Sequence, residues 1–403
     1  MTDKPAILGN TPVFDGFVPM VRPTLPPYDN GLAGQVAELL ETGMLTKGKY
    51  LREFETRVAE HLGAKHAVAV SSCTLGLLLT YHGLDLKGEV IVPSFTFMAT
   101  VHPLVWVRAE PVFVDIDPHA WTIDPVKVEA AVTERTTAIV AVHNFGNPAS
   151  VAELEAIARR HGLKLIFDAA HGFGSLYRGK PVGGFGDAEV FSLSPTKLLV
   201  AGEGGIVATD DDDLAQHIRI GREYGNDGNY GSDFPGFNAR FPEFNAILGL
   251  RSLAMLEENA VRRNRVARAF RDRLGQLPGL TFQRIRPEDR SSYREFSILV
   301  DEAEFGLSRD ELSLALKAEN VDTRKYYDPP VHAHKTYRHF YARYRDTLPI
   351  TDDVSRKSLA LPMWSHMDQE TVSGICEAIE RIHDHAPRVS STLAIHAGRP
   401  ARR

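Results

Sequence analysis

The feature that most constrains this chain is a repeated change of hydrophobic period between residue 31 and about residue 256. Short, almost continuous apolar runs alternate there with longer stretches that are apolar on one face only. Runs of the first kind form strands and stretches of the second form helices, and their alternation builds βαβ units with parallel strands. Strands are predicted at 66–70, 89–92, 111–114, 137–142, 164–167, 188–191 and 205–209, with helices at 75–83, 100–107, 126–132 and 151–161 between them. Leu165, Ile166 and Phe167 leave no polar face, which suits a sheet covered by helices on both sides. The fold class expected is α/β: a large domain with a mostly parallel seven-stranded sheet between helices, and a smaller C-terminal α/β domain.

The boundaries follow from the same pattern. Residues 1–30, rich in proline and aromatics, read as an extended arm that is ordered only if it packs on something. Residues 31–256 form the large domain and 257–385 the small one. A helical pattern running through Leu248, Leu253 and Leu256 to Leu274 predicts one long helix between them. The small domain carries a strand at 296–300 and helices at 309–319 and 369–385. Residues 386–403 show no periodicity, so a disordered tail is expected.

Composition removes several classes of function. With 46 basic against 52 acidic residues among 403, the chain has no general attraction for nucleic acid or an anionic membrane. The basic residues between Arg262 and Arg273 read as a solvated helix face. Two cysteines cannot form a disulfide framework, and they suit a reducing compartment. No stretch is long and apolar enough for a membrane span or a leader, so a cytoplasmic enzyme is expected. His332 and His334 have no neighbouring Cys or Glu to complete a ligand set, and no metal is expected.

In a parallel sheet the chemistry gathers beyond the carboxyl ends of the strands, so polar residues that abruptly end apolar runs are the informative ones. Four such places occur. Ser71-Ser72-Cys73-Thr74 forms a small polar turn before a helix, able to cradle a phosphate, although a plain helix cap accounts for the same residues. Phe95 and Phe97 follow a strand, either as core or as a platform for a planar ring. Asp168 ends a strand, with His171 close behind; it suits a helix cap or a partner for a protonated ring nitrogen. Lys197 follows a strand and a tight Ser-Pro-Thr segment and precedes Gly202-Glu203-Gly204-Gly205. Most lysines are surface charges, but one desolvated here could form a Schiff base. Taken together, the four places suit one planar cofactor bearing a phosphate, a protonated ring nitrogen and an aldehyde.

These residues, with the runs 90–100 and 111–118, Val142-His143-Asn144-Phe145-Gly146 and Gly236-Phe237-Asn238-Ala239-Arg240, resemble the DegT/DnrJ/EryC1/StrS family of sugar aminotransferases, of the fold-type I (aspartate aminotransferase-like) class. The resemblance spans about residues 30–385. It implies pyridoxal 5'-phosphate bound to Lys197 as an internal aldimine, with the pyridoxamine form as intermediate, and Lys197 moving the proton. It further implies that Asp168 pairs with the pyridine nitrogen and Phe97 stacks on the ring. Cys73 (through its backbone), Thr74 and Ser192 bind the phosphate. His171 stands where many members carry Gln, and Cys73 replaces a small residue. Asn238 matches a residue that reaches the neighbouring subunit's phosphate, implying a homodimer with shared sites. Arg240 and His332 match positions near the substrate.

The activity implied is ping-pong transfer of an amino group from L-glutamate to a nucleotide-linked keto-deoxysugar, with a dTDP-4-keto-6-deoxyhexose as the leading acceptor. Alternatives on the same machinery are a keto-cyclitol acceptor or a catalytically silent relative. A dehydratase branch, by resemblance, lacks the cofactor lysine, and neither cysteine suits a desulfurase.

Overall fold

The computed structural model describes residues 3–229, 231–337, 342–344 and 346–396. Seven strands form the main sheet: β1 (His66–Val70), β2 (Glu89–Pro93), β3 (Glu110–Val114), β4 (Thr136–Val142), β5 (Lys164–Asp168), β6 (Ala188–Ser192) and β7 (Gly205–Thr209). Their order across the sheet is β1-β7-β6-β5-β4-β2-β3. From β6 to β3 every neighbour is parallel, while β7 runs antiparallel to both β1 and β6. Each strand falls within one residue of its expected bounds. The period of two explains why both faces are dry. Val90, Val92, Val140 and Ile166 enter one apolar cluster, while Ile91, Ile139, Leu165 and Phe167 enter another on the opposite side.

The helices show where local signals suffice and where they do not. The helix Cys73–Gly83 is capped by Ser72, whose hydroxyl accepts from Leu75 N–H at 3.2 Å. The helix expected at 100–107 is split into a 3₁₀ turn, Met98–Thr100, and a short helix, His102–Trp106, with Pro103 in its first turn where a missing N–H costs nothing. The long helix expected to end at Leu274 is likewise two helices, Glu243–Ala254 and Leu256–Leu274. Glu257 and Glu258 explain the break: acidic residues favour a helix's first turn, so they mark a new start.

Helices not expected include Asn30–Thr42, Lys49–Leu62 and Asp212–Gly221. The second begins at Gly48, which has no side chain to cap it. The buried carboxylate of Glu243 does the capping, accepting from the N–H groups of Gly48 at 2.7 Å, Tyr50 at 2.9 Å and Leu51 at 3.2 Å.

A second, antiparallel sheet comprises β8 (Leu280–Phe282), β9 (Phe296–Val300) and β10 (Ser358–Leu361). It has its own core, in which Phe270, Phe296, Ile298, Leu316, Ile375 and Ile379 pack together. The N-terminal arm packs on this unit: Val18 is buried in that core, and Glu319 accepts from the N–H groups of Ala6 and Val13, each at 2.7 Å. The tail corrects the expectation of disorder in part, since Ala386–His396 is helical. Ala386, Val389 and Leu393, one helical face apart in spacing, place that helix against the same core. The remainder, 397–403, lies outside the described residues. No described helix is long and apolar enough to cross a membrane.

Candidate active site

At the carboxyl ends of β4, β5 and β6 the chain encloses a cavity of about 340 Å³, within the range of small-molecule sites. Seven of the residues singled out from the sequence line it: Cys73, Thr74, Phe97, Asp168, His171, Ser192 and Lys197.

Lys197 is held by the turn after β6, where its N–H donates to Ser194 O at 3.0 Å. Among the described residues, nothing makes a hydrogen bond or ion pair with its amine. Burial, reinforced by the nearby Arg294 cation, lowers its pKa to about 8. At pH 7.5 roughly a quarter of such amines are neutral, against about one in a thousand for an ordinary lysine. A neutral amine is the nucleophilic form.

Asp168 ends β5 and is buried. One of its oxygens accepts from Ala170 N–H at 3.0 Å and the other from Thr100 Oγ1 at 2.6 Å, with Thr96 Oγ1 2.8 Å beyond Thr100. Burial pushes its pKa up, which the two donors and Lys197 partly oppose. A buried carboxylate with spare lone pairs, facing a cavity, is suited to a cationic N–H from a ligand. Burial also holds His171 well below its ordinary pKa, helped by Lys197 and Arg294. Its Nδ1 is buried without a partner among the described residues.

The phosphate-sized end of the cavity is the N-terminus of helix Cys73–Gly83. Its first N–H groups have no intrahelical acceptor, and the Thr74 and Ser192 side chains lie beside them. Gly205 makes this possible. A Cβ there would lie 2.6 Å from the Cys73 nitrogen, so only glycine lets β7 pass so close behind the turn. Phe97, about half exposed, forms one side of the opening. The residues therefore fit a planar phosphorylated aldehyde: an amine to bind its carbon, a carboxylate for its ring nitrogen and an anion cradle.

Three expected residues lie outside the lining. Asn238 is exposed and bridges Glu223 through its backbone. The Arg240 side chain donates to Glu223 at 3.3 Å and lies over the Tyr224 ring. His332, expected near the substrate, is buried: its Nδ1 lies 2.7 Å from Ser94 Oγ and its Nε2 3.5 Å from Asp352. Conversely, Thr96, Arg294, Glu295, Tyr326 and Tyr327 line the cavity and were not foreseen. Arg294 and Glu295 precede an apolar run, and Tyr326-Tyr327 precedes Asp328-Pro329-Pro330, but a search of carboxyl ends passes over both places.

Comparison with known proteins supplies the context. The model of the DegT/DnrJ/EryC1/StrS aminotransferase family matches residues 28–380. GDP-perosamine synthase of Caulobacter vibrioides is 32% identical, over 91% of this chain and 99% of its own length. The dTDP-4-amino-4,6-dideoxy-D-glucose transaminase of Escherichia coli is also 32% identical, over 91% of this chain and 98% of its own. The crystal structure of DesI in the presence of its TDP-sugar product is 38% identical and superposes with a TM-score of 0.87, covering 97% of this chain and 98% of that one.

Proposed function

Because the chain belongs to the DegT/DnrJ/EryC1/StrS aminotransferase family, we propose that it moves an amino group from L-glutamate to a nucleotide-linked keto-deoxysugar, using pyridoxal 5'-phosphate held on Lys197. The observation that carries this reading is the half-buried Lys197, whose amine has its pKa lowered to about 8, in one cavity with Asp168 and a helix N-terminus. Bound there, the cofactor supplies a carbon that exchanges amines and a conjugated ring that takes up the electrons released at the substrate carbon.

Every other step falls to the chain. Lys197 would hold the cofactor through its amine and, when that amine is free, would serve as the base and acid that moves the proton of the donor carbon. Asp168, held by Thr100 and the Ala170 N–H, keeps the ring nitrogen protonated. Phe97 and His171 cover the ring, and Cys73 N–H, Thr74 and Ser192 bind the phosphate. Donor and acceptor use the same cavity in turn, which predicts ping-pong kinetics.

The acceptor we favour is a dTDP-4-keto-6-deoxyhexose. The dTDP-linked transaminase and DesI, similar to this chain, support that choice. The GDP-perosamine synthase makes a GDP-linked sugar the competitor to assay. We take the active unit to be a homodimer in which Asn238 and Arg240 serve the second copy's cavity. Tyr224, Phe237 and Phe244, large apolar side chains exposed beside them, support an interface there. The second sheet's own core supports a smaller domain within 257–385, although Val331, Tyr337, Tyr344 and Leu348 of that range pack into the large sheet's core.

Borohydride reduction of the holoenzyme followed by peptide mapping tests the cofactor reading: the tag is expected on Lys197, and a tag elsewhere ends it. Assays with dTDP- and GDP-linked keto sugars and with an inosose then identify the acceptor, and turnover of the inosose alone would replace the nucleotide-sugar reading by the cyclitol one.

A further inference from the structure

The mechanism above leaves two charged side chains of the cavity without a part in it. Arg294 and Glu295 are both buried, at 8% and 4% exposure, and both line the same space as Lys197 and Asp168. They form an ion pair through Arg294 Nη1 and Glu295 Oε1. Glu295 thus occupies one corner of the guanidinium. The Nε–H is buried with no partner among the described residues. A buried donor left unpaired is costly, so a ligand oxygen that reaches it is bound with advantage.

The base of this side chain is fixed from several directions. Arg294 N–H donates to Phe145 O at 3.0 Å, and Ser292 N–H donates to Gly146 O at 3.3 Å. The fully buried Arg263 donates to Tyr293 O at 3.1 Å and, through Nε, to Ser365 Oγ at 3.2 Å. Gly146 is needed for this approach, since a Cβ there would lie 2.0 Å from Ser292 Oγ. The backbone that carries the arginine is therefore anchored to the loop after β4. A narrow extension of the cavity is lined by Arg294, His171 and Lys197 together.

We propose that Arg294 binds the α-carboxylate of the amino-acid donor, with Glu295 steadying the guanidinium until the donor arrives. This rests on the aminotransferase reading. Any amino-acid donor must bring its nitrogen to the place that the Lys197 amine serves, and its carboxylate is attached to the very next carbon. Apart from Lys197, Arg294 is the one fixed cation among the cavity-lining residues described. A guanidinium presents parallel N–H groups to a carboxylate, which an ammonium cannot do. A keto-deoxysugar has no carboxylate beside its carbonyl, so the contact belongs to one half of the reaction.

The test separates the two halves on the holoenzyme, following cofactor absorbance in stopped flow. The donor half is run with L-glutamate, with L-glutamine alongside; the acceptor half starts from amine-loaded enzyme and the accepted keto sugar nucleotide. Arg294→Met is expected to raise the donor's half-saturation concentration by about 30-fold or more, as for loss of a charge-assisted contact. The acceptor half should lose at least tenfold less. Any effect of Arg294 on the Lys197 amine falls on both halves and cancels in that ratio. Arg294→Lys should recover part of the loss. Glu295→Gln should act in the opposite sense, tightening the donor several-fold by releasing the guanidinium. Where Arg294→Met loses its cofactor absorbance, the Arg294→Met/Glu295→Gln double variant removes the unpaired carboxylate and is compared with Glu295→Gln. Equal losses in both halves, or a loss confined to the acceptor half, would overturn the assignment. A wild-type enzyme whose spectrum changes with no amino acid would instead overturn the aminotransferase reading.

Discussion

On the sheet side of the cavity, Asp168 and Ser192 stand at the ends of β5 and β6, Lys197 follows in the next turn, and Thr74 opens the helix after β1. On the opposite side, Arg294 and Glu295 lead into β9, and Tyr326 and Tyr327 come from the irregular chain before β10. The first side is positioned by regular ladders of main-chain hydrogen bonds and by local caps. The second is held by contacts between residues far apart in sequence, such as Arg294 N–H to Phe145 O. Steps common to any transamination can be placed on the regular side, while recognition of a particular donor or acceptor is free to vary on the other.

Mutations can break this division or sharpen it. The largest effect is expected from Lys197→Met, which should lower turnover by more than about a thousandfold, as the loss of a covalent and proton-transferring group does. The same change should stabilise the apoprotein. The Lys197 pKa is lowered from 10.5 to about 8 in the folded chain. The cost of keeping that amine charged and buried, about 3 kcal/mol, is present in full below pH 8. The unfolded chain holds its proton longer, so stability rises as pH climbs from about 8 to 10.5, where the cost is gone. Thermal melts of the apoproteins should therefore show the variant ahead at pH 7 and level with the wild type near pH 10.5. Equal melting at both would mean that the amine is not buried as charge.

Asp168→Ala comes next, with a loss of about a hundredfold or more in kcat while phosphate-anchored binding persists; a fall below about tenfold would remove Asp168 from the electron-withdrawing role. Gly205→Ala should weaken cofactor affinity by about tenfold, because its Cβ displaces the Cys73 nitrogen, and equilibrium titration of the apoprotein reads this directly. The smallest effect is expected from Tyr326→Phe on the irregular side. It should leave cofactor affinity within about twofold, any change appearing in substrate KM. A large loss of cofactor affinity there would erase the distinction between the two sides.

Much of the regular side was legible because its signals are local. An apolar run ended by Asp168, a polar turn at Ser72 and the glycines before β7 each state a backbone requirement within a few residues. The unforeseen helix Lys49–Leu62 shows the contrary case, since its N-terminus is satisfied by Glu243, nearly two hundred residues away. The surroundings of His332 were hidden for a similar reason: a histidine beside a proline-rich turn gives no local sign that Ser94 and Asp352 enclose it. The tail from Ala386 was misread because three apolar positions on a short helix look aperiodic until the core they meet is known.

The sequence by itself determined the strands, their mostly parallel arrangement and the residues at their carboxyl ends, because hydrophobic period and capping are properties of neighbours along the chain. Only the tertiary structure decided that Arg294 and Glu295 face Lys197 across one cavity, that Thr100 holds Asp168, and that the arm from residue 3 completes the smaller sheet's core. Such pairings are selected by the packing of whole layers against one another, a global free-energy balance that no short window of residues expresses.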